Sequence, residues 1–198
     1  MDFTLKPLRR RVGKTIVVSG TPGVGKTTVS VGLSRFFSLE YYSISELLIS
    51  KRVYTHFDDE YRSYIIDEEK AKEVIKSNLK DKRAVVETIY PSLLKGLEID
   101  LVLVLRRNPV ELYKALKSKN WSESKIRENV EAEFLGIVYE ESKELVENPC
   151  QMNATGLWGE KLVDKAIKLI IKNNECEEVN WFNSENIDEI LRILSETS

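Results

Sequence analysis

Between Ser19 and Leu33 the chain reads SGTPGVGKTTVSVGL, with three glycines and one lysine inside the seven residues Gly20 to Lys26. The apolar run Ile16, Val17, Val18 stands before it and a helical pattern stands after it. Gly20 to Thr27, G-T-P-G-V-G-K-T, fits G-x-x-x-x-G-K-[ST] at every fixed position, and the strand-turn-helix setting is the one that motif requires. Its glycines let backbone N–H groups of Gly23, Val24 and Gly25 converge on a phosphate without side chains in the way, and a helix starting near Lys26 adds its positive end. Lys26 then reaches the β and γ phosphates, the Thr27 hydroxyl meets Mg²⁺, and Thr28 touches the α phosphate. A tight turn that merely happened to precede a helix would not need Lys and Thr at this offset.

Beyond this loop the chain alternates short apolar runs with helical patterns. TIVVS (Thr15 to Ser19), AVVET (Ala84 to Thr88), LVLVL (Leu101 to Leu105) and CQMNAT (Cys150 to Thr155) read as strands, with EYYS (Glu40 to Ser43) as the candidate fifth. Continuous apolarity in the first three means burial on both faces, as in a parallel sheet between helices. Ser43 and Glu46 form a capping box for ISELLISK, and Asn108 before Pro109 is a helix start of the N-cap and N1 kind. Ser122 caps a long segment running to about Glu147, and Leu157 to Lys172 makes a closing helix. After Ser184, the residues Ile187, Ile190, Leu191 and Leu194 give one apolar helical face. The expected fold is α/β, a P-loop NTPase three-layer arrangement with a five-stranded, mainly parallel sheet and helices on both faces. Residues 1–172 are read as the P-loop domain and 173–198 as an acidic extension whose helix packs on it.

A chain of 198 residues with 42% apolar residues can bury a substantial core. Its net charge of −2 excludes a nucleic-acid coat or membrane-surface binder at the level of the whole molecule, and no direct nucleic-acid motif is present. The ends are less balanced: five Lys/Arg against Asp2 over residues 1–14, and seven Asp/Glu against Arg192 over 174–198. Both read as solvated faces or as partner surfaces. Cys150 and Cys176 lack CxxC spacing and His56 is the one histidine, so neither a disulfide framework nor a structural zinc site is expected. No apolar run approaches the roughly 18 residues that span a bilayer, and no signal peptide is read, so the expected location is cytoplasmic.

G-x-P-G-x-G-K in a chain of this size resembles the nucleoside monophosphate kinases, and two further stretches narrow the likeness. YYSISELLISKRVYTHFDDEYRSYIIDEEK (Tyr41 to Lys70) and LVLVLRRNPVELYKALKSKNWSESKIRENVEAEFLGIVYEES (Leu101 to Ser142) are similar to the atypical adenylate kinase/ATPase family, that of the human coilin-interacting nuclear ATPase and its archaeal relatives. The resemblance runs from about Thr15 to Ile171. It implies a reversible ATP + AMP ⇌ 2 ADP reaction with Mg²⁺ and ATP, a weak ATPase, and a role in maturing the small ribosomal subunit through a ribosomal-protein partner. It also implies a monophosphate-binding segment at Ser43 to Ile66 and a lid over ATP at Ser118 to Glu128. Shikimate kinase and other small-molecule kinases share the early motif but not these later stretches.

Phosphoryl transfer needs positive charge around the migrating group, which directs attention to arginines and lysines outside the loop. Arg106 and Arg107 end the LVLVL strand, where open α/β sheets hold ligands; one of them clamps phosphate, or both are an exposed strand-end pair. Lys119 and Arg127 either close over the phosphates or belong to a solvated face. Asn153 to Gly156 frames the adenine or is an ordinary strand-to-helix connection. Glu87 ends a central strand and either holds a metal-bound water or does nothing. His56 reads as a surface histidine, and Trp181 with Phe182 as packing for the C-terminal helix.

The chain departs from the resembled family at three places. Ile89 stands where the family has a histidine associated with ATP hydrolysis, and isoleucine can neither relay a proton nor orient water. The lid opens Lys119, Asn120, Trp121 in place of Arg-Gly-Tyr, which exchanges a bidentate guanidinium for one ammonium. Ile49 occupies a position where an arginine can stand, with Arg52 one turn later as a substitute.

Overall fold

The computed structural model describes residues 15–59, 63–172 and 176–195. The basic arm of residues 1–14 lies outside them.

The chain runs β1 (Thr15–Ser19), α1 (Lys26–Phe37), β2 (Glu40–Ser43), α2 (Ile44–Ser50), β3 (Tyr54–Asp58), β4 (Ser63–Ile66), α3 (Glu68–Leu79) and β5 (Ala84–Glu87). It continues through β6 (Leu101–Arg106), α4 (Pro109–Lys117), α5 (Glu123–Leu135), α6 (Ile137–Ser142), β7 (Cys150–Asn153), α7 (Gly159–Lys172) and α8 (Ile187–Ser195). Five strands form one sheet in the order β2-β5-β1-β6-β7, every pairing parallel. All five residues of β1 are buried, as its unbroken apolarity requires at the middle of the sheet. Because side chains alternate across a strand, Ile16 and Val18 join α1, α4, α5 and α7 on one face, while Val17 joins α2 and α3 on the other. EYYS is the fifth strand, paired on the edge with β5. The α/β P-loop architecture with helices on both faces is therefore the observed one.

The local signals act as their chemistry dictates. Ser43 Oγ accepts the Glu46 N–H at 3.4 Å and Asn108 Oδ1 accepts the Val110 N–H at 3.0 Å, each satisfying a donor that a helix start leaves open. Pro109 follows at the first helical position. The segment expected to run as one helix from Ser122 to about Glu147 is instead broken after Leu135. Gly136, at φ 73°, caps α5 in the left-handed conformation, and the chain restarts as α6.

Two further features differ from the sequence reading. Antiparallel β3 and β4 form a two-stranded ribbon with Phe57 opposite Tyr64. Its Thr55, His56, Phe57, Tyr64 and Ile65 are exposed, so no buried face writes a period-2 pattern into the sequence. Cys150 and Cys176, expected to be unpaired, are joined in a disulfide with their Cα atoms 5.1 Å apart. Linear spacing could not show this, because the partner returns along the β7 edge, where Glu177 N–H donates to the Gln151 carbonyl at 3.1 Å. Beyond that point Trp181 and Ile190 are buried against Val110 of α4 and Phe134 of α5. Phe182 is 57% exposed and touches Phe134 with ring centroids 4.4 Å apart.

Candidate active site

The loop from Gly20 to Gly25 lies where the carboxyl ends of β1, β5 and β6 converge. Gly20, at φ 138°, passes so close to β6 that a Cβ would sit 2.5 Å from the Leu105 carbonyl oxygen. Gly25, at φ 105°, opens α1 with no side-chain cap, and the first turn carries no acidic residue. The positive end of α1 is thus left for an external anion. Val24 is fully buried beneath the loop, so it contributes backbone to the site and its side chain to the core.

A cleft of about 620 Å³ opens over this loop, and its walls include Gly23, Gly25, Lys26, Thr27, Thr28, Glu87, Ile89, Lys119, Trp121 and Trp158. The loop residues Gly23, Gly25, Lys26, Thr27 and Thr28 therefore meet Glu87, Ile89 and Lys119 around one space. Lys26 is 7% exposed and donates to the Thr21 carbonyl at 2.9 Å. Burial lowers its pKa to about 8; Glu87 opposes that shift and Lys119 adds to it. The ammonium stays charged at neutral pH and has little solvation to lose when a phosphate arrives.

Thr27 Oγ1 donates to one Glu87 oxygen at 2.8 Å, and the Tyr41 hydroxyl donates to the other at 2.6 Å. Burial, and then its bond to Glu87, raise the Tyr41 pKa, so the phenol stays protonated and holds the carboxylate in place. A hydroxyl and a carboxylate side by side are the hard oxygen donors Mg²⁺ takes, with waters and phosphate oxygens filling the remaining positions. The residues present fit that ion.

Neither Arg106 nor Arg107 lines the cleft, and both are buried, unlike an exposed strand-end pair. Arg106 Nε donates to Glu133 Oε1 at 2.8 Å, while its remaining N–H groups reach the Gln151 side chain and the Glu133 carbonyl. Arg107 is ion-paired with Glu111 and donates to the carbonyls of Val24 and Leu157. Its guanidinium carbon lies 3.6 Å from the centre of the Trp158 ring. Arg107 is thus a buttress behind the loop.

Several other candidates stand apart from the cleft. Arg127 lies 3.5 Å from Glu123. Ile49 and Arg52 are exposed around the end of α2, and the His56 ring is exposed, 3.1 Å from the Thr55 hydroxyl. In the Asn153 to Gly156 connection, Gly156 N–H donates to Glu111 at 2.8 Å. Two residues beyond it, Trp158 does line the cleft.

Sequence reasoning missed Tyr41, Glu133 and Trp158. Glu133 is 2% exposed and accepts from Thr21 Oγ1 at 2.7 Å, Arg106, the Arg107 N–H at 3.1 Å, and Trp181 Nε1 at 3.0 Å. It ties the phosphate loop to the C-terminal segment. Only its place on the inner face of α5, one turn beyond Val130, could have marked it as buried.

Residues 16–136 match the family model described as an AAA domain. The chain is 43% identical over 176 residues to the "Putative adenylate kinase" of Sulfurisphaera tokodaii, covering 89% of this chain and 90% of that protein. It is 32% identical over 139 residues to the "Adenylate kinase isoenzyme 6 homolog FAP7" of Saccharomyces cerevisiae, covering 70% of this chain and 71% of that protein. Among solved structures, shikimate kinase from Bacteroides thetaiotaomicron superposes with a TM-score of 0.57 at 12% identity, over 81% of this chain and 97% of that one, a likeness of fold.

Proposed function

The chain belongs to the atypical adenylate kinase family, and on that premise we propose that it is a nucleoside monophosphate kinase moving the γ-phosphoryl group of Mg·ATP to AMP, ATP + AMP ⇌ 2 ADP. The observation that carries this reading is the meeting of Lys26, Thr27 and Glu87 in one cleft over an uncapped helix start. Backbone N–H groups of Gly23 to Gly25 hold the phosphates, and Thr28 borders the α phosphate. Lys26 gives up the Thr21 carbonyl and offsets charge on the transferring group, with Lys119 as the second cation. Thr27 and Glu87 would hold the metal, which would supply neutralisation of phosphate charge during the transfer. Arg106 and Arg107 act from behind the loop, keeping its shape through Glu133 and Val24. There is no covalent intermediate.

In this reading residues 43–66, which span α2 and the ribbon, receive the monophosphate, and 118–128 close over ATP. Residues 1–172 are the catalytic domain and 173–198 an extension that braces it.

A second reading is favoured by a specific observation: Ile89 and Lys119 both face the cleft, so it lacks a relay histidine and a bidentate clamp there. The protein is then an ATP-switched assembly factor for the small ribosomal subunit, with a weak ATPase and a ribosomal-protein partner. ADP formation from Mg·ATP, measured with and without AMP, CMP, UMP, GMP and dAMP, decides between them. Strong stimulation by AMP supports the kinase; ATP binding with no stimulation by any monophosphate rejects it for the switch.

A further inference from the structure

Glu87 ends β5 with both of its oxygens engaged: one accepts the Thr27 hydroxyl at 2.8 Å and the other accepts the Tyr41 hydroxyl at 2.6 Å. The two donors differ in where they stand. Thr27, in the first turn of α1, lines the cleft together with Glu87, whereas Tyr41 belongs to the edge strand β2 and does not line it. In the parallel register Tyr41 lies opposite Val85 and Ser43 opposite Glu87, so Tyr41 and Glu87 share one face of the sheet, two residues apart along it. That gap of about 6–7 Å is one a phenol spans and a short hydroxyl side chain does not. A carboxylate with one oxygen tied to a phenol behind it cannot turn both oxygens on a cation. Toward the cleft it presents the single oxygen beside Thr27.

We propose that Tyr41 is a positioning residue that makes Glu87 a one-oxygen metal ligand, and that this sets the preference of the site for Mg²⁺ over the larger Ca²⁺. The inference rests on the Mg·triphosphate reading of the cleft and adds what selects the ion. Mg²⁺ demands a near-ideal octahedral shell, keeps several waters and needs only one or two protein carboxylates, so a single fixed oxygen serves it. Ca²⁺ takes about six to eight oxygens in looser geometry and gains from a carboxylate that closes on it with both. Glu has one more side-chain torsion than Asp, through which the carboxylate could swing into that two-oxygen arrangement; the bond from Tyr41 removes the freedom. Fixing the carboxylate before the ion arrives also reduces the ordering cost of binding.

ATP binding is measured calorimetrically on the full chain with Mg²⁺, with Ca²⁺ and with a chelator in place of metal, for the unaltered protein, Tyr41→Phe and Glu87→Ala, each fold checked by circular dichroism. Phenylalanine keeps the ring and removes only the hydroxyl. In Tyr41→Phe the ratio of Mg·ATP to Ca·ATP affinity should fall by roughly fivefold to tenfold, while ATP without metal binds within about twofold of the unaltered chain. Equal losses with Mg²⁺, with Ca²⁺ and without metal would make Tyr41 a support of the fold only, and an unchanged ratio would mean that Glu87 needs no orienting; either result overturns the proposal. Glu87→Ala separates it from the reading beneath it. A Mg²⁺ contribution that survives Glu87→Ala takes the carboxylate out of the metal site and overturns both. A contribution lost there but intact in Tyr41→Phe, with its Mg²⁺ preference, overturns the positioning role alone.

Discussion

Lys26 combines burial with charge, and a pH dependence follows from that. Its pKa is lowered to about 8, chiefly because burial disfavours the ammonium. A lysine whose folded pKa lies below its unfolded value lets the unfolded chain bind more protons between about 8 and 10.5, so this group makes stability rise with pH across that window. Phosphate affinity moves the other way, because the neutral amine offers a bound phosphate no charge. Mg·ATP affinity should hold steady near pH 7 and fall roughly tenfold per unit above about 8. Binding at pH 8.5 should take up a proton, visible as a buffer-dependent calorimetric heat; affinity that is flat from pH 7 to 9.5 contradicts this. Glu133 poses a different problem, because its removal would strand the buried Arg106 guanidinium. Glu133→Ala should cost about 3–5 kcal/mol in denaturant unfolding, whereas a surface carboxylate such as Glu160 should cost less than about 0.5.

Single elements carry two further expectations. The turn between α4 and α5 brings Lys119 to the cleft rim, where its ammonium lies 5.3 Å from the centre of the Trp121 ring. Lys119→Arg would provide a planar fork for phosphate oxygens, and ADP formation with AMP should rise several-fold. Unchanged turnover would mean that this position is not in contact with phosphate. The C-terminal segment is held by the Cys150–Cys176 disulfide, whose sequence separation of 26 predicts a stabilisation of about 3.5 kcal/mol from lost unfolded-state entropy. Reduction, or a Cys176→Ser variant, should lower the denaturation free energy by about that amount. Elements were legible in the sequence where burial writes a pattern. The three central strands are unbroken apolar runs, and Asn108-Pro109 announces α4 through local chemistry. The β3–β4 ribbon buries no face, and the stop at Gly136 lies in a segment whose flanks are both helical, so neither stood out.

For the molecule as a whole, the phosphate loop is braced from two sides. The Arg107 layer supports it below Trp158, and Glu133 connects Thr21 to Trp181 of the C-terminal segment. The loop itself was legible because its function requires fixed residue types at fixed offsets. The braces were not, because Glu133, Glu111 and Trp158 come from three separate segments and acquire meaning only when the sheet brings them together. Ligand binding should therefore stabilise the entire chain: Mg·ATP at about 100 times its Kd should add about 2.7 kcal/mol to unfolding. The measurement that reaches the centre of the account is equilibrium binding of Mg·ATP to the unaltered chain and to Lys26→Ala. Loss of the buried ammonium should weaken binding by roughly tenfold to a hundredfold or more, with the fold intact by circular dichroism. Undiminished binding to Lys26→Ala would place the triphosphate elsewhere and contradict the site assigned here.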